Sequence, residues 1–193
     1  MNTVITVKRL LNGRTPHPFN MLKQEKNMKI CVLLAPGFEE VEALAPLDLM
    51  RRAGLDAITV SVAGREVTGS HGITVVADKV CNEVSAKDFD VAVFPGGMPG
   101  SLNLDSSDFT DEIIASVLEK GGRLAAICAA PLIFGRRGLL HSKNATCFPG
   151  FENELVGAVI VNAPVVTDGN ITTANGMESA LLFGKELVAL LTK

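Results

Sequence analysis

Two stretches of this chain are apolar at every position after one leading charge and end abruptly at proline and glycine. Lys29-Ile30-Cys31-Val32-Leu33-Leu34-Ala35 stops at Pro36-Gly37, and Asp90-Val91-Ala92-Val93-Phe94 stops at Pro95-Gly96-Gly97. A strand with no polar alternation has no solvent face, so both read as strands buried on both sides. Between them, 39–53 has apolar residues at 41, 44, 45, 49 and 50, acids in its first turn, Arg51-Arg52 near its end and Gly54 behind it. That is an amphipathic helix whose charges match its dipole. The rest continues the alternation: a strand over 57–63, a small hairpin over 65–77, a helix over 110–120, a strand over 123–127, and a helix over 129–140 interrupted at Gly135. Short strands are expected around Ala145, over 158–161 and over 171–173, with a turn at Asp168-Gly169 and a last helix over 178–191. Strands alternating with helices predict an α/β fold, a mostly parallel sheet covered on both faces.

Length and charge narrow the class. At 193 residues and 47% hydrophobic, the chain suits one packed domain and none of the fibrous or low-complexity classes. A net charge of −3 without a basic stripe leaves no footprint for nucleic acid. No apolar run is long enough to span a membrane. Residues 1–27 stand apart: Lys8, Arg9, Arg14, Lys23 and Lys26 against Glu25 make them +4, leaving −7 for the remainder. They are expected to be a disordered or targeting extension, with organelle targeting open and Met21 and Met28 as later candidate starts, while 28–193 is the folded domain. The four cysteines, at 31, 81, 128 and 147, are too sparse for a disulfide scaffold, which predicts a reducing compartment such as the cytoplasm. Scattered among three histidines, they lack metal-ligand spacing, and no metal is expected. Gly96-Gly97-Met98-Pro99-Gly100 is neither a dinucleotide fingerprint nor a P-loop.

Ligands of such sheets bind outside the carboxyl ends of the strands. Cys128 lies there, between the strand at 123–127 and the helix after it, with no loop between. That geometry is a nucleophile elbow, and Ala125, Ala126, Ala129 and Ala130 leave room for the tight backbone. Pro131 suits a first helical turn. A thiol before a helix is expected to have its pKa lowered below ~8.5 and to attack electrophiles or peroxide as the thiolate. Backbone N–H groups of Gly97 and Ala129 are placed to form an oxyanion hole. Cys31, inside a strand, and Cys81 and Cys147, away from such junctions, read as packing residues.

The runs Ala125-Ala126-Ile127-Cys128-Ala129-Ala130-Pro131, Gly37-Phe38-Glu39-Glu40-Val41-Glu42 and Phe94-Pro95-Gly96-Gly97 resemble the three signatures of the ThiJ/PfpI superfamily. Pro46 to Gly54 resembles its Parkinsonism-associated deglycase branch in particular. The resemblance implies a flavodoxin-like three-layer sandwich, usually a homodimer, with an active cysteine at 128, an acid at 42 beside it and no obligatory cofactor. Glu42, one turn into the first helix, can reach the same edge as Cys128. In a dry pocket its carboxyl should stay protonated and serve as a proton carrier. Glu39 and Glu40 read as acids complementing the helix N-terminus. Pro46 removes the N–H that would meet the carbonyl of residue 42, which predicts a kink.

The histidines depart from the pattern. Phe148 stands where many members keep one near the cysteine, His17 is in the extension, and His141 reads as solvated surface. His71, near where the deglycase branch carries an arginine that crosses the dimer interface, is the candidate third member. A Cys128–Glu42 dyad is the minimum. The protease branch has a histidine after the cysteine, here Ala129, and the amidotransferases need a His-x-Glu that 151–154 does not supply, so neither peptidase nor amidotransferase is expected. What the resemblance implies is a glyoxalase/deglycase-type lyase or hydrolase turning small aldehydes such as methylglyoxal into 2-hydroxy acids. The alternatives are a redox-sensing or chaperone-like stress protein in which peroxide takes Cys128 to the sulfinate, and a thiamin-pathway (thiazole monophosphate) role.

Overall fold

A computed structural model describes residues 28–193; the extension over 1–27 lies outside the described residues. The elements in chain order are β1 (Lys29–Leu34), α1 (Glu40–Arg52), β2 (Asp56–Ser61), β3 (Glu66–Thr68), β4 (Thr74–Val76), β5 (Lys79–Val80), β6 (Val91–Phe94) and α2 (Gly100–Asp105). There follow α3 (Asp108–Glu119), β7 (Arg123–Ile127), α4 (Pro131–Arg136), β8 (Asn144–Ala145), β9 (Val159–Ile160), β10 (Val165–Asp168), β11 (Ile171–Ala174) and α5 (Ala180–Leu191).

Seven strands form one sheet in the order β10-β11-β7-β6-β1-β2-β5. Every pairing is parallel except β10 with β11. The central run β2-β1-β6-β7-β11 is the flavodoxin-like order, with its switch point between β1 and β6. Period-two geometry sends successive β1 side chains to opposite faces, and both faces are buried. Ile30, Val32 and Leu34 pack with Leu47 and Met50 of α1 and Phe183 and Leu187 of α5. Cys31 and Leu33 belong to the other core, with Leu104 of α2, Ile113 and Val117 of α3, and Phe134 of α4. The result is the expected three-layer α/β sandwich. No helix among the described residues is long and apolar enough to cross a membrane.

One expectation changes and three short elements are added. α1 continues as helix through Pro46, where α5 presses against it: a Cβ on Gly184 would lie 2.9 Å from the Pro46 Cα. Tertiary packing thus holds a turn that has lost one hydrogen bond. The helix expected over 129–140 is only Pro131–Arg136, preceded by a turn and begun by its proline. Gly135 sits inside it because its backbone touches the next segment, where a Cβ would come 2.1 Å from the Glu154 carbonyl oxygen. The short α2, β5 and β10 were not foreseen.

Candidate active site

β7 ends at Ile127, and Cys128 follows with φ = 64°. The left-handed region costs a non-glycine residue about 1–2 kcal/mol, so the neighbours must impose it. The Cys128 N–H donates to the Ala174 carbonyl at the end of β11 (2.9 Å), and its own carbonyl accepts from the Phe148 N–H (2.8 Å). Held between these loops, the side chain stands half-buried at the carboxyl edge, where the N–H groups of Gly97 and Ala129 both hydrogen-bond to its sulfur.

Glu42 is fully buried beside it. The helix start explains how it is presented: the Glu39 carboxylate caps α1 by accepting from the Glu42 N–H at 2.6 Å, and the Glu39 N–H is tied to the Gly96 carbonyl at 2.9 Å. This locks the first turn of α1 onto the turn after β6. Glu42 Oε2 accepts from the Gly96 N–H at 2.9 Å. Its Oε1 is buried without a well-aligned partner among the described residues; the remaining contact of the carboxyl is the Cys128 thiol. Gly96 allows the approach, since a Cβ there would lie 2.4 Å from Glu42 Oε2 and 2.5 Å from the Cys128 Cβ.

Burial sets the electrostatics. It pushes the Glu42 carboxyl up to about 7, helped by the Glu39 charge and opposed by the contacts with Cys128 and Gly96 and by the His71 charge. It also pushes the Cys128 thiol up to about 12, along with the Glu42 charge and hydrogen bond, against the Gly97 and Ala129 N–H groups. The expectation of a lowered thiol pKa is therefore corrected. A six-residue helix beginning three residues later is outweighed by desolvation and by a carboxylate alongside. The two groups titrate as a unit. Near neutrality the pair loses one proton, Glu42 being the more acidic member, and the remaining proton lies between oxygen and sulfur. A carboxylate so placed is a general base for the thiol, and once protonated it can donate back to sulfur or to a bound oxyanion.

His71 occupies the β3–β4 turn, its side chain 68% exposed. Its Nδ1 lies 2.8 Å from Glu40 Oε2 and 3.9 Å from Glu39 Oε1, and its backbone N–H donates to Glu40 Oε1 at 2.8 Å. Its hydrogen bond to Glu40, and then the charge of Glu40, raise its pKa. Burial would raise that of Glu40, but hydrogen bonds led by the one from His71 lower it. Within one chain His71 is thus bonded to Glu40 rather than to Cys128. Glu40 was underestimated as a dipole complement: nearly fully buried, it pins the hairpin to α1. Glu39, Glu40 and His71 also bring ligand-type atoms within 4.8 Å of one another, a grouping missed because the spacing of carboxylates was not considered. It is accounted for as an ion pair with a capping acid, and Nδ1 already faces Glu40.

The other residues fall into place around the dyad. Cys31 is core, with its thiol pKa raised by burial. Cys147 is buried, its pKa pushed up to about 11 chiefly by desolvation. Cys81 is partly buried against the core, and all four thiols are free. His141 is exposed. Phe148 follows Cys147 and touches the site through its backbone, where an imidazole was the alternative. Gly96 and Ala174 were overlooked as positioning groups. Gly96 was legible in its Gly-Gly turn, whereas the contribution of Ala174 is a carbonyl that any residue carries.

The chain is similar to protein dj-1beta of Drosophila melanogaster, at 34% identity over 159 residues, covering 81% of this chain and 85% of that protein. A deglycase of Pyrococcus abyssi is 31% identical over 167 residues, with 85% of this chain and 99% of the relative covered. Among solved structures, oxidized DJ-1 of Toxoplasma gondii superposes with a TM-score of 0.81 at 31% identity, over 85% of this chain and 90% of that one. The DJ-1/PfpI family model matches residues 28–190, a span that holds the elbow cysteine, the buried glutamate and the glycine turn between them, and the chain belongs to the DJ-1/PfpI family.

Proposed function

We propose that this protein is a cofactor-independent cysteine enzyme acting on small reactive carbonyls, of the glyoxalase/deglycase type. The observation that carries the reading is the carboxyl of Glu42, buried, poised near 7 and set against the Cys128 thiol with two backbone N–H groups on the sulfur. In methylglyoxal, sulfur attacks the aldehyde carbon as the thiol proton passes to Glu42 and on to the new oxyanion, which lies by the Gly97 and Ala129 N–H groups. This gives a hemithioacetal. Glu42 then takes the proton from the sulfur-bearing carbon and returns it to the adjacent one, while the hydroxyl proton of the first carbon passes to the carbonyl oxygen of the second, so the first carbon is oxidised as the second is reduced, leaving a lactoyl thioester. Water hydrolyses it to lactate and free Cys128, with no net redox change.

Incubation with methylglyoxal free of glutathione should release lactate, and Cys128→Ser and Glu42→Gln should each abolish it. A second reading rests on the same carboxyl, which when protonated can donate to an oxidised sulfur: peroxide would take Cys128 to the sulfinate and make the protein a redox sensor. Wild type as inert as both variants, together with selective gain of two oxygens at Cys128, would favour that reading and overturn the first. Exposed Val41 on α1 and Ile73 and Val76 on the hairpin support a homodimer, which sedimentation would test, and four free thiols suit a reducing compartment such as the cytoplasm.

A further inference from the structure

Three large apolar side chains stand exposed on the segments that build the dyad. Met98 follows Gly97, whose N–H bonds the Cys128 sulfur; Phe148 donates its N–H to the Cys128 carbonyl; and Met177 lies three residues beyond Ala174, the strand end whose carbonyl accepts the Cys128 N–H. The Phe148 ring is 46% exposed, and it lies over Gly176, where a Cβ would come within 3.2 Å of it. Its backbone N–H is fixed to the Cys128 carbonyl at 2.8 Å, which ties the residue carrying this ring to the elbow. An exposed aromatic face anchored in this way favours an apolar group laid against it, because the contact removes water from both. Two acids stand on these segments, Glu39 with its N–H on the Gly96 carbonyl and Glu178 next to Met177, and they disfavour an anionic substrate.

We propose that Phe148 is a specificity residue and that the Cys128 site takes uncharged carbonyl compounds bearing an aryl or bulky alkyl group in preference to those bearing hydrogen or methyl. The inference rests on the carbonyl reading above and names its substrate class. Met98 and Met177, exposed on the other two segments that build the dyad, supply adaptable apolar surface suited to substituents of differing shape.

Alkylation of Cys128 tests this without turnover. Sulfur displaces bromide from phenacyl bromide or from bromoacetone, forming one S–C bond as the C–Br bond breaks, and intact mass with peptide mapping follows the rate at Cys128. The ratio of the phenacyl rate to the acetonyl rate removes any change in thiol reactivity. In Phe148→Ala that ratio should fall about fivefold from its wild-type value, the size of an aromatic contact, and Phe148→Leu, which keeps the surface apolar, should fall between. An unchanged ratio in both folded variants, or a higher one in Phe148→Ala, overturns the proposal. Phenylglyoxal and methylglyoxal turnover, measured in parallel, separates the two claims. If neither is consumed while the alkylation ratio still falls, the enzymatic reading fails and the apolar site stands; if methylglyoxal is consumed and the ratio does not fall, the enzymatic reading stands and Phe148 is not a specificity residue.

Discussion

Replacing Glu42 by glutamine should make the protein more stable in alkali and not in acid. The carboxyl is fully buried and its pKa in the fold is about 7, against an ordinary value of 4.5. Between those values the folded chain holds a proton that the unfolded chain has released, so wild-type stability falls as pH rises through the window and is level on either side. The shift amounts to roughly 3 kcal/mol of destabilisation above pH 7. Glutamine has nearly the same shape and no charge to bury, so Glu42→Gln escapes this loss. Urea unfolding of both proteins from pH 4 to pH 8.5 would show it, since groups not coupled to Glu42 cancel in the difference. The variant should gain about 3 kcal/mol on the wild type across that range, visible as roughly 6–12 °C in Tm for a domain of this size. A difference curve flat to within about 0.5 kcal/mol, less than single-site noise in typical mutant comparisons, would refute the claim that burial raises this carboxyl.

Gly96→Ala puts a Cβ 2.4 Å from Glu42 Oε2 and 2.5 Å from the Cys128 Cβ; it should cost about 1–3 kcal/mol by overpacking and abolish Cys128 labelling, as checked by thermal melts and mass spectrometry. At φ = 64°, Cys128→Gly relieves backbone strain that Cys128→Ala retains, so the glycine variant should be the more stable of the two by about 1 kcal/mol in urea unfolding. His71→Ala removes a charge that lowers the Glu42 pKa and should move the Glu42 carbon resonance titration to higher pH; a shift to lower pH would contradict the assigned coupling.

The core architecture was readable because β1, β6 and β7 are apolar apart from Lys29 and Arg123 at the starts of β1 and β7 and run into Pro-Gly or Cys128, which leaves a doubly covered parallel sheet as the only way to bury them. The same local signals pointed to Cys128, and the family resemblance together with the place of Glu42 in α1 pointed to Glu42; the fold brings the two side chains together. Short elements were less legible. β5 and β10 exist because a neighbouring strand offers hydrogen bonds, and α2 follows Gly96-Gly97-Met98-Pro99, which reads as loop. The Cys128 protonation state was misjudged because a helix start is visible in the sequence, whereas the dryness of the pocket and the nearness of Glu42 are properties of the packed chain. Glu40 differs from its reading for a similar reason: Glu39 and Glu40, adjacent acids at a helix start, look like one dipole complement, yet Glu39 caps the helix and Glu40 holds the hairpin through His71, while Glu42 faces the thiol. Only the helical turn, which sends adjacent residues in different directions, separates these roles.

The central claim is that Glu42 and Cys128 share one proton and that Glu42 acts as the base for sulfur. It is tested most directly by the pH dependence of Cys128 alkylation by iodoacetamide in the wild type and in Glu42→Gln. The account predicts a wild-type rate rising with a midpoint near pH 7, where Glu42 ionises, and loss of that step in the variant, which should react only as the solvent-driven thiol ionises at much higher pH. A wild-type rate already at its plateau below pH 6, or the same midpoint in both proteins, would contradict it.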